Sequence, residues 1–300
     1  MRRLTCSASC GVSAVGIGGK EVLTAFIYPG GKVRISPWVA SFFPRHKIYV
    51  EPFGGAAGVL LNKAPSPLEV YNDLNSDLVN FFRVLRDKEK AAELIRRLRL
   101  TPYAREEYDN AYMPPEGDDI ERARALIVRA GMGIGPLGAI SLSPQGFAAE
   151  TKKIKKNAKV FVNRVEKMSE IAERFRSVVI ERRDALELIP RYDTPDTLWY
   201  LDPPYNCRYS FRYPATIDQE AMLGVFKKVS GYVVLSGYMS ELYANELAGW
   251  HMETRTNQTF GHKDKEECLW LSPRTWEALQ RERGTLPLGE LCHAARSKVS

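Results

Sequence analysis

No apolar run in this chain approaches the roughly 20 residues that a membrane-crossing helix needs. A protein built on such helices is excluded, and no membrane partner is expected. Cysteine is sparse: Cys6, Cys10, Cys207, Cys268 and Cys292 are odd in number and scattered. Only the first two lie close together, with no histidine or second cysteine pair at zinc-finger spacing. That argues against a disulfide framework and for free thiols in a reducing, cytoplasmic compartment. The four histidines, His46, His251, His262 and His293, show no ligand spacing, so no metal is expected. A Walker-type lysine-serine pair is missing, which argues against a nucleoside triphosphate. A Pro-Cys pair is missing too, and with it the nucleophile that attack at cytosine C5 requires.

What is present is ordinary globular material. The 300 residues are 44% hydrophobic and 26% charged, enough for one large domain or one domain with a substantial insertion. A formal net charge of +7 fits a polyanionic partner or a merely basic surface. The start of the chain is small and basic, and glycine and serine interrupt its apolar stretch. Residues 1–22 therefore read as a flexible tail in preference to a signal or transit peptide. Residues 276–300 read as a second tail.

Short apolar strands alternate with helical patterns, which predicts an α/β fold with a mostly parallel sheet flanked by helices. KIYV at 47–50 predicts a first strand, followed by a glycine turn and a helix through GVLLNK at 58–63. PLEVYND at 67–73 predicts a second strand, feeding a helix over 76–85. SVVIE at 177–181, TLWYL at 197–201 and YVVLS at 232–236 predict three more. HMETRT and ECLWLS predict closing strands, antiparallel at the edge. Between the second and third strands lies a stretch of roughly 90 residues, too long for a plain connection. Helical patterns dominate it, around a glycine-rich and then densely basic centre at 131–159. The reading is a discontinuous domain, 23–85 and 170–275, carrying a mainly helical insertion at 86–169.

At the first strand exit, YVEPFGGAAGVLLNK, Glu51 ends the strand and Pro52 stops the ladder. Gly54, Gly55 and Gly58 then open a tight turn, and glycines there let a ligand approach the backbone. Asp73 ends the next strand, at the distance downstream where an acid typically hydrogen-bonds a ribose diol. Together they describe a nucleoside lying across the carboxyl ends of the strands. FGGAAG lacks the full G-x-G-x-x-G pattern of a pyrophosphate binder, and a short nucleoside such as S-adenosylmethionine needs less. The plain alternative is a tight turn followed by a helix capped at Asn72 or Asp73.

The fourth strand ends in Asp202-Pro203-Pro204-Tyr205. Two prolines fix φ and remove two donors, so sheet pairing must stop. That accounts for the prolines but not for the acid or the ring. An exocyclic nucleobase amine is a poor nucleophile, because its lone pair is delocalised into the ring. A carboxylate and a proline carbonyl can both accept hydrogen bonds from it and turn the lone pair toward an electrophile. A tyrosine beside them can stack on the base, worth about 1–3 kcal/mol. Such stacking helps to offset the cost of extracting the base from a duplex.

D-P-P-Y behind an apolar strand, with EPFGG upstream, closely resembles the Dam-type (D12 class) DNA adenine-N6 methyltransferases. Tyr28-Pro29-Gly30-Gly31-Lys32 resembles the family's N-terminal W-A-G-G-K segment. YNDLNSDLVNFFRVLRD resembles its acid-bearing second strand and following helix, and GHKDKEECLWLSP its closing segment, with Glu267 before the last strand. The likeness covers residues 26–273 in the family's order. It implies a Rossmann-like methyltransferase sheet and a target-recognition insertion. The implied cofactor is S-adenosylmethionine, held by Tyr28, Lys32, Glu51, Phe53, Gly55, Asp73, Asp184 and Asp202. The implied activity is site-specific DNA adenine-N6 methylation, with Asp202, Pro203, Pro204 and Tyr205 as catalytic residues and Tyr205 stacked on a flipped adenine. Double-stranded DNA is the implied substrate and a monomer the implied state. Solitary, phage-borne and restriction-modification enzymes all fall within the likeness. Asp184 has a second reading, as the N-cap of a helix at ALELI. Two departures stand out. The family's F-x-G-x-G falls on Phe53-Gly54-Gly55-Ala56-Ala57, with Ala57 in the second glycine's place and Gly58 beside it as a substitute. Tyr28 replaces tryptophan.

Lys152, Lys153, Lys155 and Lys156, with Lys159 and Arg164, suit phosphate neutralisation or, on the plainer reading, a solvated basic face. Arg208 and Arg212 interleave with Tyr209, Phe211 and Tyr213, a mixture suited to an unstacked strand or to an ordinary lid. Two rival functions stand. One is cytosine-N4 transfer, whose enzymes share the amine chemistry but more often open the motif with serine. The other is a DNA-binding homologue with impaired catalysis, for which Ala57 is the support.

Overall fold

Most strands form from short apolar runs. The strands are β1 (Ile48–Glu51), β2 (Leu68–Asn72), β3 (Val178–Glu181), β4 (Thr197–Leu201), β5 (Tyr232–Gly237), β6 (His251–Gln258) and β7 (Asp264–Leu271). They come from a computed structural model that describes residues 22–113, 118–141, 143–149, 157–204, 217–258 and 264–284. One seven-stranded sheet runs in the order β3-β2-β1-β4-β5-β7-β6. The first five strands are parallel, and the β6–β7 pair closes one edge antiparallel. β4 is buried at every position, as a central parallel strand covered on both faces must be.

The chain steps outward from β1 to β2 to β3, then returns to lay β4 against the other side of β1. β1 and β4 thus flank the point where the winding reverses. In open α/β sheets a crevice forms there, at the carboxyl ends of the strands. Glu51 ends β1 and Asp202 directly follows β4, so the topology brings these two acids to that crevice.

The helices are α1 (Ser36–Ala40), α2 (Ser76–Arg86), α3 (Lys88–Leu100), α4 (Arg105–Asn110), α5 (Asp119–Met132), α6 (Asn157–Glu166), α7 (Met168–Phe175), α8 (Ile189–Tyr192), α9 (Gln219–Phe226), α10 (Glu241–Glu246) and α11 (Pro273–Glu282). Side chains set several starts: Asn75, Asp87, Asp118, Asp218, Ser240 and Ser272 each accept a first-turn N–H. The pleat sorts the core into two layers. Tyr49, Tyr71, Leu198 and Tyr200 face the layer that contains α2 to α7. Val50, Val70, Trp199 and Leu201 face the layer of α9 and α10.

The helical insertion is fastened to the sheet through α2. Phe82 of α2 stacks on Phe175 of α7 at 4.2 Å and meets Tyr71 of β2 at 4.6 Å. Arg122 and Arg129 of α5 both bond Asp77 of α2. A buried cluster adds a second tie: Glu69 of β2 accepts from both Lys63 and Arg174 of α7. Arg174 Nη2 also donates to the Leu60 carbonyl at 2.8 Å.

Three expectations need correction. The helix predicted over 58–63 is a set of turns. Its backbone closes little more than one helical turn, while Asn62 and Arg174 divert the carbonyls of Gly58 and Leu60. The cap of α2 is Asn75, whose side chain accepts from Asp77 N, and not Asn72 or Asp73. The tail expected from 276 instead continues α11 to Glu282. There Leu279 is buried and Trp276 stacks on His251 at 3.4 Å. The expected tail at 1–22 lies outside the described residues except for Val22. Among the described residues no helix is long and apolar enough to cross a membrane.

Candidate active site

A cavity of about 240 Å³ opens at the carboxyl ends of β1, β2, β3 and β4. Its floor is the turn after β1. Gly54 has no room for a side chain, since a Cβ there would lie 2.2 Å from the Tyr71 ring. Gly55 has φ +49°, and a Cβ would meet the Tyr28 ring at 2.8 Å. Ala57 itself adopts φ +55°, so it holds the left-handed backbone usually left to glycine, at a cost of about 1–2 kcal/mol. Gly58 does not substitute for it in that conformation. Its need is close approach, because a Cβ there would lie 3.0 Å from Val33.

Asp73 ties this turn down. Its carboxylate accepts from Gly55 N at 2.9 Å and from Asn75 N at 2.8 Å. Burial pushes its carboxyl up to about 6, against the pull of those N–H groups. Glu51 is 3% exposed and accepts from Tyr49 OH at 2.8 Å and Leu60 N at 3.2 Å. Burial pushes the Glu51 carboxyl up to about 8; the Tyr49 hydroxyl opposes this and the charge of Asp202 adds to it.

Asp202 sits at the opposite wall. Lys32 Nζ donates to its Oδ1 at 2.8 Å and Oδ2 at 3.0 Å. The same ammonium reaches Gly30 O at 2.7 Å and Glu267 Oε1 at 3.3 Å. Burial works against the charged lysine, but Asp202 and Glu267 together hold its pKa above the ordinary value. Ser236 of β5 donates to Asp202 Oδ1 at 3.2 Å and in turn meets Tyr200 OH at 2.9 Å. Past Asp202, the Pro204 carbonyl accepts from Gln219 Nε2 at 3.0 Å. The Pro203 carbonyl has no such bond among the described residues.

The far wall is the exit of β3. Asp184 caps the short 3-10 helix Ala185–Leu188 by accepting from Leu186 N at 2.8 Å. It also lines the cavity with Arg183, Ala185 and Leu186, so the capping role is compatible with a place on the cavity wall. Tyr28, Lys32, Glu51, Phe53, Gly55, Asp73, Asp184 and Asp202 all line this one space, as do Pro203 and Pro204. Tyr205, Lys152, Lys153, Lys155, Lys156, Arg208 and Arg212 lie outside the described residues. Of the two cations that follow the lysine run, Lys159 is exposed on α6, and Arg164 is half-buried with its pKa lowered by burial.

Sequence reasoning missed Asn72, Ser236 and Gln219. Each is a small polar residue whose partner is far along the chain or across a strand, and spacing carries no trace of that. It also gave Lys32 to the cofactor alone, whereas its ammonium is bonded to two acids.

The lining suits a small cationic nucleoside. Carboxyls from Glu51, Asp73, Asp184, Asp202 and Asp218 outnumber the cations Lys32 and Arg183, and Phe53, Ile217 and Met222 supply apolar walls. Such an acidic lining repels a polyphosphate and favours ribose hydroxyls and positive charge. S-adenosylmethionine, an adenosine with a sulfonium and an ammonium, fits that donor set.

The family described as D12 class N6 adenine-specific DNA methyltransferase matches residues 28–222, about two thirds of the chain. A DNA N-6-adenine-methyltransferase of Escherichia phage P1 is 31% identical over 106 residues. That stretch covers 34% of this chain and only 14% of the phage protein.

Proposed function

The chain belongs to the D12 class of N6 adenine-specific DNA methyltransferases, and from that membership we propose that it methylates adenine N6 at a specific site in double-stranded DNA. The donor in this reading is S-adenosylmethionine, which when bound supplies an electrophilic methyl group on sulfur. The observation that carries the reading is the placing of Asp202. It follows β4 at the winding reversal, fixed by Lys32 and Ser236, on the wall of an acid-lined cavity.

Asp202 would accept one N–H of a flipped adenine's amine. Lys32 and Ser236 hold that carboxylate in place. The second N–H would go to the Pro203 carbonyl, the one nearer Asp202, while that of Pro204 accepts from Gln219. Held at both hydrogens, N6 would aim its lone pair along the line to the methyl carbon. On methylation the extra proton on N6 would pass to Asp202 or to water. The chain's contribution is alignment at about 3–3.5 Å and polarisation of the amine, with no covalent enzyme intermediate. Tyr205 would stack on the base, and the lysine run at 152–156 with Arg208 and Arg212 would meet DNA phosphates and the unstacked strand.

Asp202→Ala tests the reading. Radiolabelled methyl incorporation should fall by about a hundred- to a thousandfold, the order seen when a preorganised electrostatic group is removed, while DNA affinity stays near wild type. Incorporation close to wild type would refute the role of Asp202. The rival reading of an impaired homologue rests on Ala57; that this alanine takes up the glycine-like conformation supports the active reading over it.

A further inference from the structure

We propose that Asn72 is a positioning residue that locks the three cofactor-facing loops to one another and sets affinity for the adenosine half of the donor. The proposal rests on the cavity being a nucleoside site. Asn72 is the last residue of β2, 1% exposed, with β1 on one side and β3 on the other. Backbone pairing with β3 ends at Asn72 and Glu181. Beyond that point the Asn72 side chain takes over. Its Nδ2 donates to Arg183 O at 3.0 Å, and its Oδ1 accepts from Arg183 N at 2.8 Å. These two bonds add one more rung to the ladder, made by an amide side chain in place of a strand.

The second hydrogen on Nδ2 goes the other way, to Pro52 O at 2.8 Å in the loop after β1. The Asn72 main-chain carbonyl accepts from Gly54 N at 2.8 Å in the same loop. Asp73, the next residue, carries the carboxylate that bonds Gly55 N. One residue thus fixes the glycine turn, the ribose-side acid and the Arg183–Leu186 wall relative to one another. All three line the cavity. The sheet itself does not need this side chain, since the strand pairing of β2 is carried by backbone. Few side chains could replace it. Aspartate offers no donor, serine lacks the reach, and glutamine is one methylene too long for a fully buried place. Asn72 bonds neither Asp202 nor Pro203 and Pro204, so its effect belongs to binding and not to the transfer step.

The test uses Asn72→Asp, which keeps the size and one acceptor but removes both donors, and Asn72→Ala. Calorimetry would measure adenosine, S-adenosylhomocysteine and S-adenosylmethionine on the intact chain. We expect all three to weaken by a similar factor of about 10- to 100-fold, the size of losing two buried hydrogen bonds. Methyl transfer to duplex DNA at saturating donor should stay within about threefold of wild type, since the variant removes ground-state binding alone. Unchanged affinity in both variants, or a fall in turnover at unchanged affinity, overturns the proposal. A wild-type chain that binds none of the three nucleosides would instead sink the cofactor reading beneath it. A second measurement needs no variant: in wild type, the amides of Arg183 and Gly54 should exchange slowly and gain protection together when adenosine binds. Arg183 exchanging as an open loop residue would also overturn the proposal.

Discussion

Burial holds the Glu51 carboxyl up near 8, well above the ordinary carboxylate range. The sign of the consequence follows from linkage. A carboxyl whose folded pKa lies above its unfolded value favours the fold fully at pH below about 4.5, and that contribution is lost as pH rises toward 8. Glu51→Gln copies the neutral form and cannot ionise. Its melting temperature should therefore decline less than that of wild type between pH 5 and pH 8; parallel profiles would show that Glu51 does not titrate in this window. Gly54→Ala is a steric test. A methyl driven against the Tyr71 ring should cost about 1–3 kcal/mol in denaturant unfolding, and an unchanged midpoint would contradict the crowding. At this scale the acids were legible, since Glu51, Asp73 and Asp202 each stand at or just past a strand's end. The destination of Lys32 was not, because Asp202 lies 170 residues away in the chain.

Elements report the same division. Short apolar runs marked the strands, but the cap of α2 is Asn75, where Asn72 or Asp73 was expected. The segment at 58–63 misled, because Val59, Leu60 and Leu61 look helical yet are needed as a turn beneath the glycine loop. α11 was hidden for the opposite reason. Its apolar stripe is narrow, with Leu279 and the Trp276 ring set among charged residues. The tie between α7 and the sheet could not be read at all, since it depends on Arg174 meeting Glu69 across 105 residues. Arg174→Met should destabilise the chain by up to about 3 kcal/mol, because Glu69 loses one of two buried cations. Arg174→Lys should recover part of that loss. A urea midpoint equal to wild type in Arg174→Met would show that the cluster is not a structural tie.

For the whole molecule, strand order decides where chemistry is placed. Because the winding reverses between β1 and β4, Glu51 and Asp202 meet at one crevice although 151 positions separate them in the sequence. The excess positive charge belongs to the same scale. Replacing Lys152, Lys153, Lys155 and Lys156 by alanine should weaken DNA binding and lower the salt slope by about 0.9 for each phosphate contact removed. An unchanged slope would assign that run to a solvated surface. The central claim, adenine-N6 transfer, is tested most directly by the product. Unmethylated duplex DNA is incubated with the protein and S-adenosylmethionine, digested to nucleosides and analysed by mass spectrometry. The account predicts that N6-methyldeoxyadenosine accumulates with wild type and is absent with Asp202→Ala. N4-methyldeoxycytidine in its place, or no methylated nucleoside with wild type, would contradict it.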